Sequence, residues 1–238
     1  MRLEVLPDAE AAAARAAARI AEAARAGIGA RGLFAFAVSG GHSPWIMLRE
    51  LAGEALPWEK IHVFQVDERI APAGDPDRNL THLKESLLSR AALPPANVHA
   101  MPVEAPDLDA AARDYARELE RVAGSPPSLD LVHLGLGPDG HTASLVPNDP
   151  VLSVTDRDVA MTASYMGRRR MTLTYPVLDR ARRLLWLVTG AEKAPVLPRL
   201  LRCDPSIPAG RVRAADDLLI ADRAAAGDVV AGEPPSRV

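Results

Sequence analysis

Asp139-Gly140-His141-Thr142 sets a carboxylate two residues before an imidazole. An imidazole titrates near neutral pH and can take a proton from water, while a neighbouring carboxylate can orient it. Such a base contributes roughly 10²–10⁴-fold in rate. The same residues would also make an ordinary turn with a surface Asp and His, so their place in the fold decides between the two. Asp67-Glu68-Arg69 puts three charges directly after an apolar run. Its arginine suits a carboxylate, a phosphate, or negative charge building on a carbonyl oxygen. A structural ion pair at a strand end fits these residues equally well.

Ser39-Gly40-Gly41-His42-Ser43-Pro44 joins an apolar run to the start of a helix. Paired glycines let the backbone approach a ligand closely, and free N–H groups at a helix start favour an anion. A phosphate monoester is the natural guest, although a plain tight turn would use the same residues. No G-x-x-x-x-G-K-[ST] stretch occurs, so a nucleoside triphosphate is not indicated. Gly135-Leu136-Gly137-Pro138-Asp139-Gly140 matches the dinucleotide pattern G-x-G-x-x-G by accident. Asp139 would face a pyrophosphate there, and Pro147 and Pro150 cut short any following helix.

Lys193 is one of only three lysines among 28 basic residues, in the first helical turn after Gly190. A cation is disfavoured there unless something negative is close, which makes it a phosphate-ligand candidate beside the plain alternative of an outward-pointing side chain. Of Arg168-Arg169-Arg170, at most one is expected to reach a site. His133 alternates within an apolar run and fits a hydrogen-bonded core residue better than a ligand. His62, His82 and His99 lack metal spacing such as H-E-x-x-H, and the G-x-S-x-G elbow of serine hydrolases is absent. The chemistry is therefore expected to need neither a metal nor an organic cofactor.

These residues depend on the elements that carry them. Strands are expected at 2–6, 33–38, 61–66, 98–101, 129–134, 159–163, 171–174, 184–189, 211–213 and 218–220. Helices are expected at 9–31 behind Asp8 as N-cap, from Pro44 behind Ser43 as N-cap, and at 79–90, 108–122 and 191–201. The alternation implies an α/β fold: a mostly parallel twisted sheet with helices on both faces. One domain over 1–228 and a polar tail over 229–238 are expected, with no linker or repeat between. The clusters at 39–41, 67–69, 137–142 and 190–193 each follow a strand. In open parallel sheets ligands bind beyond the carboxyl ends of the strands, so all of them should meet on one edge.

Composition is that of an ordinary globular chain, 48% hydrophobic and 25% charged over 238 residues. A net charge of −3 argues against a nucleic-acid partner. Cys203 is the only cysteine, which excludes a disulfide framework and fits a reduced cytoplasmic setting. No apolar run approaches the roughly 18 residues of a membrane span. The Ala- and Arg-rich start resembles a transit peptide less than a first helix, because Asp8, Glu10 and Glu22 interrupt it.

Several stretches resemble, in order, the 6-phosphogluconolactonase family, within the wider group that includes glucosamine-6-phosphate deaminases. They are Val38-Ser39-Gly40-Gly41, Val66-Asp67-Glu68-Arg69, the run from Gly135 through Asp139-Gly140-His141-Thr142-Ala143-Ser144-Leu145, and Arg170-Met171-Thr172-Leu173-Thr174. Val188-Thr189-Gly190-Ala191-Glu192-Lys193, Ile207-Pro208-Ala209 with Val212, and Asp222-Arg223-Ala224-Ala225 continue the set. The resemblance implies hydrolysis of 6-phospho-D-glucono-1,5-lactone, a sugar phosphate, to 6-phosphogluconate in the oxidative pentose phosphate route; a monomer is the expected state, with an oligomer left open. It implies His141 as general base with Asp139 beside it, and Arg69 on the reacting carbonyl or product carboxylate. Ser39, Gly40, Gly41, Arg170 and Lys193 would hold the phosphate, with Asp67 and Asn79 as weaker carry-overs; His42, in the same loop, is a further substrate-binding candidate of this chain's own.

The chain departs from the family pattern at His42, at Arg78-Asn79 in place of Ser-Asn, and at Val146-Pro147-Asn148 in place of Phe-Pro-Gly. Two other functions compete. The related deaminases carry D-G-H-I-A-F-N-E, whose Glu assists ring opening; here that position is Val146, and Arg69 stands where they carry Tyr. A non-catalytic sugar-phosphate sensor would need a helix-turn-helix, and none is expected before Leu3.

Overall fold

The structure, a computed structural model, describes residues 1–227 and Val229; apart from Val229, the expected tail at 229–238 lies outside the described residues. Strand β1 (Arg2–Leu6) leads into helix α1 (Ala9–Arg31). That helix starts where Asp8 accepts the Ala11 N–H and stops at Gly32. Then come β2 (Phe34–Val38), α2 (His42–Ala52), β3 (Ile61–Gln65), β4 (Asp67–Arg69) and α3 (Asn79–Leu83), which runs on as a π-turn over Lys84–Leu88. β5 (Val98–His99), α4 (Leu108–Ala123), β6 (Leu131–Leu134), β7 (Val159–Met161) and β8 (Arg170–Leu173) follow. The chain closes with α5 (Tyr175–Asp179), β9 (Arg183–Val188), α6 (Leu197–Leu201), β10 (Asp216–Asp222) and α7 (Arg223–Ala226).

Seven strands form one parallel sheet in the order β1-β10-β9-β6-β2-β3-β5. Side-chain alternation splits its two faces. Phe34, Phe36 and Val38 join α1 and α2 in one core, whereas Ala35 and Ala37 look towards a second core with Tyr115 and Leu119 of α4. Each fully buried large side chain contributes about 1.5–3 kcal/mol. From β2 the chain moves outward to β3 and β5; from β6 it moves the other way, to β9 and β10. The crevice between neighbours β2 and β6 is thus the topological switch point, where open sheets bind ligands.

The strands expected at 159–163 and 171–174 form, but with β4 they make a separate antiparallel sheet, β4-β8-β7. The Asp67-Glu68-Arg69 segment is therefore a strand and not a loop. Ser43 does not cap α2: Gly41 occupies that position without a side-chain bond, and Ser43 is the second residue of the helix, its hydroxyl 2.5 Å from that of Thr189. The helix expected at 191–201 breaks into a 3₁₀ turn, Ala191–Lys193, and α6, because Pro195 and Pro198 withhold N–H groups from it. No strand forms at 211–213, where the 3₁₀ turn Ala209–Arg211 stands instead. The helix expected at 79–90 stops at Leu88.

His133, fully buried on β6, ties the central strands together: its Nδ1 accepts the Ser39 N–H at 3.3 Å and its carbonyl accepts the Ser39 hydroxyl at 3.0 Å. Burial pushes its imidazole down to about 3. An unfolded imidazole binds its proton near pH 6.5, so between there and pH 3 the unfolded chain holds a proton that native His133 refuses. Stability then falls on acidification, by up to about 1.4 kcal/mol per pH unit from this group. In urea titrations, His133→Asn is expected to flatten the loss between pH 6 and 4 by about 1 kcal/mol per unit; an unchanged slope contradicts this.

Candidate active site

A cavity of about 310 Å³ opens above the β2–β6 crevice. The loop after β2 reaches it first. Ser39 is buried there and its N–H and hydroxyl both go to His133, so it tethers the loop, and Gly40 and Gly41, just before α2, line the cavity. A β-carbon on Gly40 would collide with the Asn79 side chain. His42, exposed in the first turn of α2, stands on the rim.

The loop after β6 brings His141. Its Nδ1 lies 2.5 Å from Asp139 Oδ1, and its backbone N–H donates to the same oxygen at 3.1 Å. Asp139 does not line the cavity; it stands behind the imidazole. Its other oxygen, Oδ2, accepts the Tyr165 hydroxyl at 3.2 Å. Burial pushes this carboxyl up, but the His141 N–H, the imidazole and the Tyr165 hydroxyl together outweigh it and hold the group below the ordinary aspartate range. An ionised carboxylate only accepts, so Nδ1 carries the proton and Nε2 is left as the basic nitrogen. Gly137 is required here by close approach, since a β-carbon would overlap the His141 ring.

Strand β4 supplies the opposite wall. Asp67 is buried, accepting the Ser144 hydroxyl at 2.5 Å and the Asn79 amide at 3.3 Å. Burial pushes its carboxyl up. Glu68, fully buried, accepts N–H groups from Gln65, Arg69, Asn79 and Leu80, each at 2.8 Å. Arg69 and Arg170 are ladder partners across β4 and β8, so both guanidinium groups leave one face of the small sheet. Arg170 is the member of its triplet that lines the cavity; Arg168 pairs with Asp75 and Asp77, and Arg169 donates to the Thr162 carbonyl. Burial lowers the Arg170 guanidinium, with Asp67 opposing.

The loop after β9 completes the ring. Asp222, at the end of β10, accepts the Gly190 N–H at 3.1 Å. Lys193 follows at the end of a 3₁₀ turn and lines the cavity, 3.5 Å from Glu192. All the expected site residues except Asp139 thus line one cavity. Sequence reasoning missed Ser144, Asp222 and Tyr165. The first two lie in the recognised stretches as unremarkable hydrogen-bonding residues, and nothing in the sequence marks Tyr165. Among the described residues no three His, Cys, Asp or Glu side chains are grouped to hold a metal ion.

A family model described as glucosamine-6-phosphate isomerases/6-phosphogluconolactonase matches residues 7–220. The chain belongs to this family. A 6-phosphogluconolactonase of Synechocystis sp. is 44% identical over 170 residues, 70% of each chain. One from Mycobacterium tuberculosis is 37% identical over 238 residues, covering 94% of this chain and 96% of that one. The fold is shared with the crystal structure of 6-phosphogluconolactonase from Thermotoga maritima, at a TM-score of 0.83 and 28% identity over 93% of this chain and 99% of that one.

Gly137→Ala is expected to displace the imidazole and lower kcat/KM by about 100-fold with the fold retained. Turnover and circular dichroism measured together check this; a fully active variant shows that the imidazole need not sit where it does.

Proposed function

We propose that this protein hydrolyses 6-phospho-D-glucono-1,5-lactone to 6-phosphogluconate, in the oxidative pentose phosphate route, by general-base activation of one water. The observation that carries this is His141, backed by Asp139 at 2.5 Å, facing the same cavity as the glycine loop at the start of α2 and three cationic side chains, Arg69, Arg170 and Lys193. The relatives at 37–44% identity support the same reaction.

A lactone is an activated ester, so the protein has to orient one water and stabilise one oxyanion. With its Nδ1–H held by Asp139, His141 takes a proton at Nε2 as the water oxygen bonds to C1. The carbonyl becomes an oxyanion beside Arg69, and a preorganised donor of that kind is worth about 2.7–4 kcal/mol. The C1–O5 bond then breaks, and the imidazolium returns the proton to the departing ring oxygen. The carboxylic acid so formed releases its own proton to solvent. No covalent intermediate is required.

At the far end the phosphate dianion takes the Gly40 and Gly41 N–H groups and the positive end of α2. Lys193 and Arg170 flank it, Ser39 tethers the loop, and His42 and Asn79, the latter held by Asp67, form the polar rim. The deaminase chemistry lacks its carboxylate: Val146, five residues after His141, is apolar and only 3% exposed. The proposal includes a monomeric cytoplasmic enzyme without a nucleic-acid partner. The single cysteine supports the reducing compartment, and the net charge of −3 supports the lack of a nucleic-acid partner. Among the described residues no helix is long and apolar enough to cross a membrane.

His141→Ala is expected to lower kcat at least ~100-fold with modest loss of binding. Lactone opening measured above the spontaneous background checks this, and near-full activity in the variant removes His141 as the base. A sensor would bind the lactone and leave its opening at the background rate.

A further inference from the structure

Tyr165 belongs to none of the motifs that mark the site and does not line the cavity, yet it touches both halves of the machinery. Its hydroxyl donates to Asp139 Oδ2 at 3.2 Å. Its ring meets the His141 ring edge-on at 5.7 Å, and the Arg170 guanidinium lies 5.0 Å from its centroid. We propose that Tyr165 is a positioning residue of this active site: its hydroxyl fixes the Asp139 carboxylate against His141 while its ring seats Arg170. One side chain then couples the base to a substrate-facing cation.

The local backbone is built to deliver it. Tyr165 and Arg168 pair through backbone bonds of 3.0 and 3.3 Å around a two-residue turn. Met166 and Gly167 both have positive φ, 52° and 78°, as the tight turns that suit strand twist require. Arg168 anchors this hairpin across to Asp75 at 3.3 Å and Asp77 at 3.1 Å. Met166 at the tip is 81% exposed, so the hairpin fills no core, and the inward aim of Tyr165 is not a by-product of packing.

The geometry at Asp139 explains the need. Oδ1 takes both the His141 N–H and Nδ1, and with Oδ2 free the carboxylate would be held from one side only. The Tyr165 hydroxyl closes the other side and removes the rotation that would swing Oδ1 off the imidazole. Burial and the Asp139 charge push the phenol up, so it remains a donor at neutral pH. Arg170 loses hydration in its buried position, and a ring face under the guanidinium replaces part of it.

The inference rests on His141 acting as the base. Tyr165→Phe keeps the ring and the Arg170 seat and removes only the hydroxyl. Its kcat on the phosphorylated lactone is expected to fall about 3- to 10-fold, with KM within about two-fold and the melting temperature unchanged. In an Asp139→Asn background the same change is expected to cost nothing further, since two changes on one interaction are not additive. Tyr165→Leu, which also removes the ring, is expected to raise KM as well. Wild-type kcat in Tyr165→Phe, a loss confined to KM or melting temperature, or a full additional loss on top of Asp139→Asn overturns the proposal. Failure of the base assignment is a separate result: there His141→Ala keeps its activity, whatever Tyr165 does.

Discussion

The Glu68 carboxylate, fully enclosed, gathers the Arg69, Asn79 and Leu80 backbone N–H groups and the Gln65 amide around one charge. Those groups come from the end of β3, from β4 and from the start of α3. The buried Arg78 guanidinium lies 3.7 Å from the same carboxylate, and breaking a buried ion pair costs about 3–5 kcal/mol, so this arrangement has little freedom to relax. Its consequence is directional. With Glu68 turned into the protein, alternation along β4 turns Asp67 and Arg69 the other way, towards the cavity. Asn79 is held at the helix start, where it reaches Asp67. One wall of the site is therefore fixed by a residue that does not touch the cavity.

The two carboxylates nearest the chemistry are driven in opposite directions. Burial pushes Asp67 up, whereas His141 and Tyr165 overcome burial and hold Asp139 down. Environments that separate two acids in this way divide their tasks. In the proposed reaction Asp139, held below the ordinary aspartate range, orients and stabilises the imidazole. Asp67 sits among Ser144, Asn79 and Arg170 as the centre of a hydrogen-bonded wall. Arg69 and Arg170 share a face of the small sheet, and Lys193 approaches from the loop after β9. Cations gathered around a helix start prefer an anion of more than one charge, as a phosphate is.

Much of this was legible in the residues. The parallel strands announce themselves as apolar runs, and Asp8 and Gly32 delimit α1 by capping chemistry that is local to the chain. Four polar clusters after four strands are expected on one edge of a parallel sheet, and residues of all four line one cavity, although one cluster is itself strand β4. What escaped was non-local. The pairing of β4 with β8 joins segments about a hundred residues apart, and nothing in Asp67-Glu68-Arg69 announces an antiparallel partner. The commitment of Ser39 to His133 depends on β2 and β6 being neighbours, which composition does not encode. Tyr165 sits in a hairpin outside every motif, and only the folded arrangement brings its hydroxyl to Asp139.

The central claim is that one cavity grips a phosphate at one end and presents an imidazole to an ester carbon at the other. Its most direct test compares kcat/KM for 6-phosphogluconolactone and for unphosphorylated gluconolactone, in the native protein and in Lys193→Ala. Binding energy from a remote group shows in turnover of the whole substrate, so the account predicts a preference of at least ~100-fold for the phosphorylated lactone that shrinks in the variant. Equal activity on both lactones, or a preference untouched by loss of Lys193, would contradict it.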